Sequence, residues 1–166
     1  MIGRSGSGKT TVARALGGAT GIRVLHLDRI AWRPGWRPVH PDDFAERHAA
    51  EVVRDRWILD GGYRASPGWA ERLRRADLVV IVEAPLAVCL VRIVRRALQS
   101  GAGRRPDLPD GCDDTLDLRL VGWTLTWGLR HRGLAEEVRR VAPGARLVRV
   151  RRAEDLVRLA GQGPTP

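Results

Sequence analysis

The sequence predicts an α/β fold in which a parallel sheet carries helices on both faces, and two observations indicate it. Short apolar runs alternate with longer segments of helical periodicity, which is the order that β-α units produce. The first apolar residues lead directly into a glycine-rich stretch, residues 3–10, that precedes a helix-forming segment. Such a turn between strand and helix is typical of parallel sheets that bind ligands at the carboxyl ends of their strands.

Each element follows from its own pattern. Strands are short apolar runs bounded by polar residues, whereas helices have apolar residues three and four positions apart. Thr10 to Leu16 predicts a helix that Gly17 and Gly18 stop. The later segments are a strand at 22–27, a helix at 42–55, a strand at 57–59, a helix at 67–75, a strand at 78–82, helices at 86–99, 116–131 and 134–141, a strand at 146–150 and a closing helix at 154–159.

These segments predict five strands, of which the first is truncated. Only Met1 and Ile2 precede Gly3, whereas a typical strand has about five residues. We therefore expect the natural chain to begin several residues earlier and the chain as given to have reduced stability. Its 166 residues and 43% hydrophobic content predict a single domain over 1–166.

The composition excludes several classes of protein. No apolar stretch reaches the roughly 18 residues of a membrane span, because Glu83 and Pro85 interrupt the longest one. Cys89 and Cys112 have neither metal-ligand spacing nor the density of a disulfide scaffold, and no signal peptide fits before Gly3. We expect a cytoplasmic protein without a membrane partner, either a monomer or a homodimer.

The net charge of +10 suggests a nucleic-acid partner, but the distribution of the charge does not favour one. The arginines are spread through predicted helices and loops, often near Asp or Glu, with no tract of five or six like charges. Lys9 is the only lysine among 29 lysine and arginine residues, so a bias towards arginine explains much of the basic character.

That one lysine stands where a phosphate-binding loop needs it. Residues 3–10 match G-x-x-x-x-G-K-T, the Walker A pattern, whose backbone N–H groups and helix dipole hold polyphosphate. Lys9 reaches the terminal phosphates, and the Thr10 hydroxyl is placed to ligate Mg²⁺. The pattern predicts ATP or GTP with Mg²⁺, bound by Gly3, Ser5, Gly6, Ser7, Gly8, Lys9, Thr10 and Thr11.

Two large classes of nucleotide-binding protein are excluded. A guanine-nucleotide switch reads its base with Asn or Thr followed by Lys, any residue and Asp, and this chain has no second lysine. The length leaves no room for the additional strands and helices of a motor or a helicase.

Several further motifs, spread over residues 3–159, give the chain a resemblance to a known family. They are the phosphate loop, His26-Leu27-Asp28, Trp32-Arg33-Pro34-Gly35-Trp36, Asp60-Gly61-Gly62-Tyr63, Ala76-Asp77, Arg92 with Arg95 and Arg96, Arg105-Pro106-Asp107 and Gly111-Cys112. On these motifs the chain resembles the bacterial P-loop family of DNA topology modulation proteins, which is similar in fold to adenylate kinase and shikimate kinase.

The resemblance implies the strand order 2-3-1-4-5 and a nucleotide-kinase-like layout, with an acceptor-side segment at about 28–56 and a lid at about 100–115. It does not identify the phosphate acceptor. Gly62 stands where the family commonly has asparagine, which removes a polar contact. Glu83 stands where aspartate is more usual, which favours a water-mediated role at Mg²⁺.

Three carboxylates are candidates for the chemistry of phosphoryl transfer, which needs positioning and charge neutralisation. Asp28, at the end of the second strand, is the candidate for orienting or deprotonating the acceptor hydroxyl, unless it caps the following loop. Asp60 is the second candidate, although Asp-Gly-Gly is also ordinary turn chemistry. Glu83 is predicted near Mg²⁺, with a solvated strand end as the alternative.

The arginines of the lid region are predicted to bind phosphate. Arg92, Arg95 and Arg96 share a helix face, and Arg104 and Arg105 follow in a segment rich in glycine and proline. Guanidinium groups bind phosphate oxygens in pairs, and a closing lid excludes water. We expect Arg95 and Arg105 to act in catalysis and Arg92 and Arg96 to contact the nucleotide. The alternative is a solvated basic face.

Aromatic side chains next to arginines predict the acceptor site, because they suit a flat or anionic molecule. Alternatively, the tryptophans of this segment anchor a long loop. Trp123 and Trp127, four residues apart, are expected in the core, and His26 and His40 are expected to be structural. The predicted substrate-binding residues are Asp28, Trp32, Trp36, Gly61, Tyr63 and Arg64.

The sequence therefore predicts an ATP-dependent kinase that transfers the γ-phosphate to a nucleoside, a nucleotide or a related metabolite. The competing hypothesis is an ATP-binding, DNA-associated protein that influences DNA topology without small-molecule kinase activity. A third is a DNA-binding module with a vestigial phosphate loop.

Overall fold

A computed structural model describes residues 1–99, 107–113, 115–151 and 155 of the chain. Within these residues, helices and short strands alternate as the sequence predicts. The elements are β1 (Ile2–Gly3), α1 (Lys9–Thr20), β2 (Val24–His26), α2 (Asp28–Ala31), β3 (Trp32–Arg33), β4 (Arg37–Pro38), α3 (Pro41–Val52), β5 (Ile58–Asp60), α4 (Trp69–Arg74), β6 (Leu78–Val82), α5 (Leu86–Leu98), α6 (Leu118–Arg130), α7 (Leu134–Val141) and β7 (Arg146–Val150).

The long strands pair in parallel. β6 lies between β1 and β7, and β2 pairs with β5, whereas β3 and β4 form a small antiparallel hairpin. Met1 makes further bonds just before β1: its ammonium group donates to Leu59 O at 2.6 Å, and Gly61 N donates to Met1 O at 3.1 Å. The chain therefore has an α/β fold with a parallel sheet.

Alternation along β6 places helices on both faces of the sheet, because successive side chains of a strand point to opposite sides. Val79 and Ile81 pack with residues of α4 and α7, while Val80 and Val82 pack with Val12 of α1. A further cluster joins α3 to β2 and β5. All four of these β6 side chains are buried.

The first helix is longer than the sequence predicts. α1 continues through Gly17 and Gly18 to Thr20, and Gly21 ends it in the left-handed conformation with φ 67°. A Cβ atom on Gly17 would lie 2.7 Å from Cγ2 of Val24, so this glycine lets the helix pack closely on β2. The predicted end of the helix at Leu16 is wrong. Gly17 is needed for close packing against β2 and does not terminate the helix.

Other expectations are also corrected. The pattern of the sequence predicts neither α2 nor the β3–β4 hairpin, which together occupy the segment from Asp28 to Pro38. Trp123 is 44% exposed and is not a core residue, since it lies on the outer side of α6 with the Arg130 guanidinium over its ring. Trp127 is partly buried against the core.

The remaining predicted helices and strands either occur in the structure at about the expected positions or lie outside the residues that the structure describes. β6, α7 and β7 have the predicted bounds. Residues 100–106 of the predicted lid and most of the predicted closing helix lie outside the described residues. No helix in the described part is long and apolar enough to cross a bilayer.

Candidate active site

The segment between β1 and α1 is a tight loop in which glycine is required at two positions. A Cβ atom on Gly3 would lie 2.4 Å from Val82 O, and one on Gly6 would lie 2.5 Å from Cys89 O. Gly8 precedes α1 with φ 100°, and the bond from Val12 N to Gly8 O, 3.1 Å, begins the helix. The amides of residues 9–11 precede that bond and have no acceptor within the helix, so they can bind an anion.

Lys9 is the first residue of α1 and is held by the loop itself. Its Nζ donates to Arg4 O at 3.1 Å. Burial lowers the pKa of Lys9, and Arg96 acts in the same direction, while Asp60 and Asp28 oppose the shift. A phosphate group would give this ammonium group a fully charged partner in place of a carbonyl oxygen.

Arg92 of α5 supports the loop from the other side. Its Nη1 donates to the carbonyl oxygens of Gly6 at 3.1 Å and Ser7 at 3.2 Å. Ser7 is 5% exposed, and its Oγ has no hydrogen-bond partner in the described part of the chain. The loop is thus fixed by contacts through its carbonyl oxygens, whereas the Ser7 hydroxyl lacks a partner.

Asp60, at the end of β5, contacts the residue that follows the loop lysine. Its Oδ2 accepts from Thr10 Oγ1 at 2.7 Å and lies 3.0 Å from His26 Nδ1. Burial raises the pKa of Asp60, but the His26 hydrogen bond, the Lys9 charge and the Thr10 hydrogen bond outweigh it, so the pKa lies below its usual value. Asp60 is therefore an ionised carboxylate.

The surroundings of Asp60 fit a magnesium ion. Its Oδ1 is buried and lacks a hydrogen-bond partner among the described residues, and hydroxyl and carboxylate oxygens are the ligands that Mg²⁺ prefers. The described residues contain no group of three or more His, Cys, Asp or Glu side chains able to hold a metal. A cation here would be shared between Thr10, Asp60 and the phosphates of a nucleotide.

Asp28 begins α2 immediately after β2 and lies in a chain of hydrogen bonds. Tyr63 Oη donates to Asp28 Oδ1 at 2.5 Å, and Trp32 Nε1 donates to Tyr63 Oη at 2.9 Å. Burial raises the pKa of Asp28, while Tyr63 and Lys9 act in the opposite direction without cancelling the shift. A carboxylate with a raised pKa is a better proton acceptor than an exposed one.

Glu83 has arginine partners for both of its carboxylate oxygens. Arg149 Nη1 lies 3.0 Å from Oε1, and Arg151 Nε lies 2.6 Å from Oε2. The carboxylate that contacts Thr10 is Asp60. The sequence predicts Asp60 as a second candidate base and not as a metal-binding residue. The role of Glu83 near Mg²⁺ stays a prediction.

The predicted acceptor residues separate into two groups. Asp28, Trp32 and Tyr63 are joined by hydrogen bonds. Gly61, two residues before Tyr63, has a φ of 144°, and a Cβ atom at this position would lie only 2.9 Å from Leu27 Cβ. Arg64 instead forms an ion pair with Glu137 and donates to Arg130 O.

Trp36 forms no hydrogen bond within this group, although its ring packs edge-on against Trp32 at a centroid distance of 5.7 Å. Its Nε1 donates to Asp113 O at 3.0 Å and so anchors the hairpin. Among the predicted phosphate-binding residues, Thr11 and Arg95 are exposed and Ser5 is partly buried. Arg104 and Arg105 lie outside the described residues.

The described part of the predicted lid, residues 107–113, is attached to the acceptor-side segment and to α1. Asp107 is 5% exposed and forms an ion pair with Arg14 at 3.1 Å. Gly35 N donates to Gly111 O at 2.7 Å, and Cys112 Sγ donates to Arg33 O at 3.2 Å.

Comparison with known proteins identifies the fold. No family model and no curated protein matches the chain. A shikimate kinase from Acinetobacter baumannii, solved in complex with shikimate, is 20% identical, with a TM-score of 0.56 over 97% of this chain and 87% of that one. A gluconokinase from Sinorhizobium meliloti 1021 is 17% identical, with a TM-score of 0.51 over 96% and 91%. The fold of the chain is therefore similar to that of these two kinases.

Proposed function

We propose that the chain is an ATP-dependent kinase that transfers the γ-phosphoryl group to a hydroxyl group of a small molecule. The observation that carries this proposal is the position of Asp28, which lies close enough to Lys9 for the charge of each to shift the pKa of the other. A protein that only bound nucleotide would need the loop but not this carboxylate. A kinase needs both, because the acceptor proton must leave as the phosphate arrives.

In the proposed step, the acceptor hydroxyl oxygen attacks the γ-phosphorus of ATP and forms the new P–O bond. The bond between the γ-phosphorus and the β,γ-bridging oxygen breaks, and its electron pair leaves with ADP. The hydroxyl proton passes to the Asp28 carboxylate. Lys9 and the amides at the start of α1 neutralise the charge on the phosphate oxygens.

We assign the magnesium site to Thr10 and Asp60. The unpartnered Oδ1 of Asp60 and the hydroxyl of Thr10 would hold the ion. When bound, Mg²⁺ would supply positive charge to the β- and γ-phosphate oxygens. His26 fixes the orientation of the Asp60 carboxylate through its hydrogen bond.

The same proposal includes one continuous sheet with the order β2-β5-β1-β6-β7, which is the order 2-3-1-4-5 that the family resemblance implies. It is supported by the two hydrogen bonds that join Met1 to Leu59 and Gly61, next to the pairing of β1 with β6. In this order the carboxyl ends of β5 and β1 are neighbours, which is the arrangement that the contact between Thr10 and Asp60 requires.

The second candidate is an ATP-binding, DNA-associated protein, as the resemblance to the DNA topology modulation family suggests. The net charge of +10 favours it. The ion pairs disfavour it, since arginines along the whole chain have acidic partners. Examples are Arg14 with Asp107, Arg23 with Glu51, Arg33 with Asp43, Arg64 with Glu137 and Arg149 with Glu83.

The test is an ATP-consumption screen with nucleosides, nucleotides, sugars and related metabolites as acceptors, repeated with GTP. We expect turnover with one chemical class. We expect Lys9→Ala and Asp28→Asn each to lower turnover by about a hundredfold or more while the fold persists. Asp55→Asn is the matched control, because Asp55 is an exposed carboxylate after α3.

Two outcomes would contradict the kinase proposal. One is the absence of phosphate transfer to every acceptor by a folded protein that binds Mg-ATP. The other is normal transfer by Asp28→Asn, which would remove Asp28 from the mechanism. Salt-sensitive DNA binding that Lys9→Ala leaves unchanged would instead favour a DNA-binding module with a vestigial loop.

A further inference from the structure

The phenol of Tyr63 occupies the space between an indole donor and the Asp28 carboxylate. It accepts from Trp32 Nε1 at 2.9 Å and donates to Asp28 Oδ1 at 2.5 Å. The indole has only a donor to offer, so the phenol oxygen must accept from it, and the phenol O–H is directed to Asp28. Tyr63 therefore presents its proton to Asp28.

Tyr63 keeps this position at a cost to its backbone. Its φ of 47° lies in the left-handed region, which is unfavourable for an aromatic residue. The ring stacks on Phe44 with a centroid distance of 5.3 Å, and the buried Arg72 donates to the carbonyl oxygen of the preceding residue, Gly62. Strained residues fixed from several sides are concentrated at functional sites.

The charged groups around Asp28 come from three directions. Lys9 of α1 lowers the pKa of Asp28, whereas Asp60 of β5 and Asp107 of the predicted lid raise it. Burial is the largest influence and also raises it, and the Tyr63 hydrogen bond is the largest influence that opposes burial. The pKa of Tyr63 itself is raised far above its usual value by burial and by Asp28, so the phenol stays protonated and cannot serve as the base.

We propose that Tyr63 is a positioning residue that selects which oxygen of Asp28 receives the acceptor proton. Its hydrogen bond occupies Oδ1, so the proton of the attacking hydroxyl passes to Oδ2 while the Tyr63 proton stays in place. The same bond lowers the pKa of Asp28 and so opposes the effect of its burial. This inference rests on the proposed kinase function and assigns Tyr63 to the base rather than to direct contact with the acceptor.

The test compares wild type with Tyr63→Phe, which keeps the ring on Phe44 and removes only the hydroxyl group. We expect turnover to fall by about tenfold and the acidic limb of the kcat/KM profile to move to higher pH, because the pKa of Asp28 rises when the donor is lost. The Asp28 titration, followed by carboxyl-carbon NMR, should move in the same direction without any acceptor present. Val138→Ala is the structural control, because Val138 is buried in a different core cluster from Tyr63, and it should lower stability while leaving both titrations in place.

The outcomes separate this inference from the function on which it rests. A wild-type protein that transfers phosphate to no acceptor overturns the proposed function and the positioning role with it. An active wild type whose Tyr63→Phe variant keeps both the pH profile and the Asp28 titration overturns the positioning role alone.

Discussion

Thr10 and Asp60, 50 residues apart in sequence, are joined by a hydrogen bond of 2.7 Å between Oγ1 and Oδ2. The bond connects the start of α1 to the end of β5, so the hydroxyl group of the phosphate loop and a buried carboxylate are held together. Because Oδ1 of the same carboxylate lacks a partner among the described residues, the pair is suited to binding a hard cation.

The first prediction concerns this pair. Asp60→Asn keeps the size of the side chain and removes its charge, so we expect the magnesium concentration for half-maximal turnover to rise by about ten- to a hundredfold. Calorimetry of Mg-ATP binding gives a readout that does not need an acceptor. Asp77→Asn, at an exposed position before β6, is the control. Equal magnesium dependence in the two variants would remove Asp60 from the metal site.

The second prediction uses two glycines with similar backbones and different surroundings. Gly6 has φ 77° and Gly133 has φ 72°, but only at Gly6 would a Cβ atom meet a backbone atom, Cys89 O at 2.5 Å. We expect Gly133→Ala to cost about 1–2 kcal/mol of backbone strain. Gly6→Ala should cost more and should also weaken nucleotide binding. Thermal unfolding and ATP titration check both, and equal losses of stability would show that the loop does not press against α5.

A third prediction concerns the adjacent glycines of α1. A Cβ atom on Gly18 meets nothing within 4 Å, so Gly18→Ala should raise the free energy of unfolding by about 0.5–1 kcal/mol. Gly17→Ala should lower it by about 1–2 kcal/mol, because the methyl group would overlap Val24 of β2. Denaturant unfolding measures both. Stabilisation by both substitutions would contradict the close packing of α1 on β2.

These glycines illustrate what a sequence does and does not reveal. β6 could be predicted to the residue because Leu78–Val82 is an unbroken apolar run between polar residues. Gly17 and Gly18 look alike in the sequence, and only the distance to β2 distinguishes them. Asp60 resembles an ordinary turn residue, and its contact with Thr10 depends on the order of the strands.

Contacts between residues that are far apart in the chain explain why other predicted roles differ from the observed contacts. Glu83 directly follows β6, but its partners are Arg149 and Arg151, which lie 66 and 68 residues further along the chain. The link between Tyr63 and Asp28 spans 35 residues and joins the segment after β5 to the start of α2, so no local pattern could show that these two side chains meet. The Walker A pattern, by contrast, can be recognised in the sequence because its residues are consecutive, and its binding of phosphate stays a prediction.

The fourth prediction concerns pH. Burial, and to a smaller extent Arg72, lowers the pKa of His48 from its usual 6.5 to about 4. In the unfolded chain, His48 therefore binds a proton below about pH 6.5, whereas in the folded chain it binds one only below about pH 4. The contribution of His48 to the free energy of unfolding is fully present above pH 6.5. It falls as the pH is lowered, by about 2 kcal/mol at pH 5.

The measurement is the free energy of unfolding of wild type and His48→Gln at several pH values, compared by difference because other groups also titrate. The advantage of wild type over the variant should shrink steadily as the pH falls from 6.5 to 5. A difference that does not change with pH would show that His48 takes up a proton in the folded protein as easily as in the unfolded chain.

The position of Lys9 has a practical consequence for chemical labelling. It carries the only ε-amino group of the chain, and burial lowers its pKa, which increases the fraction of the free amine that acylating reagents attack. An adduct on this side chain, located by mass spectrometry of the peptides after digestion, would report occupancy of the loop and would be distinguished from an adduct on the amino group of Met1. Protection of that one amine by a nucleotide would then measure binding directly, before any acceptor has been identified.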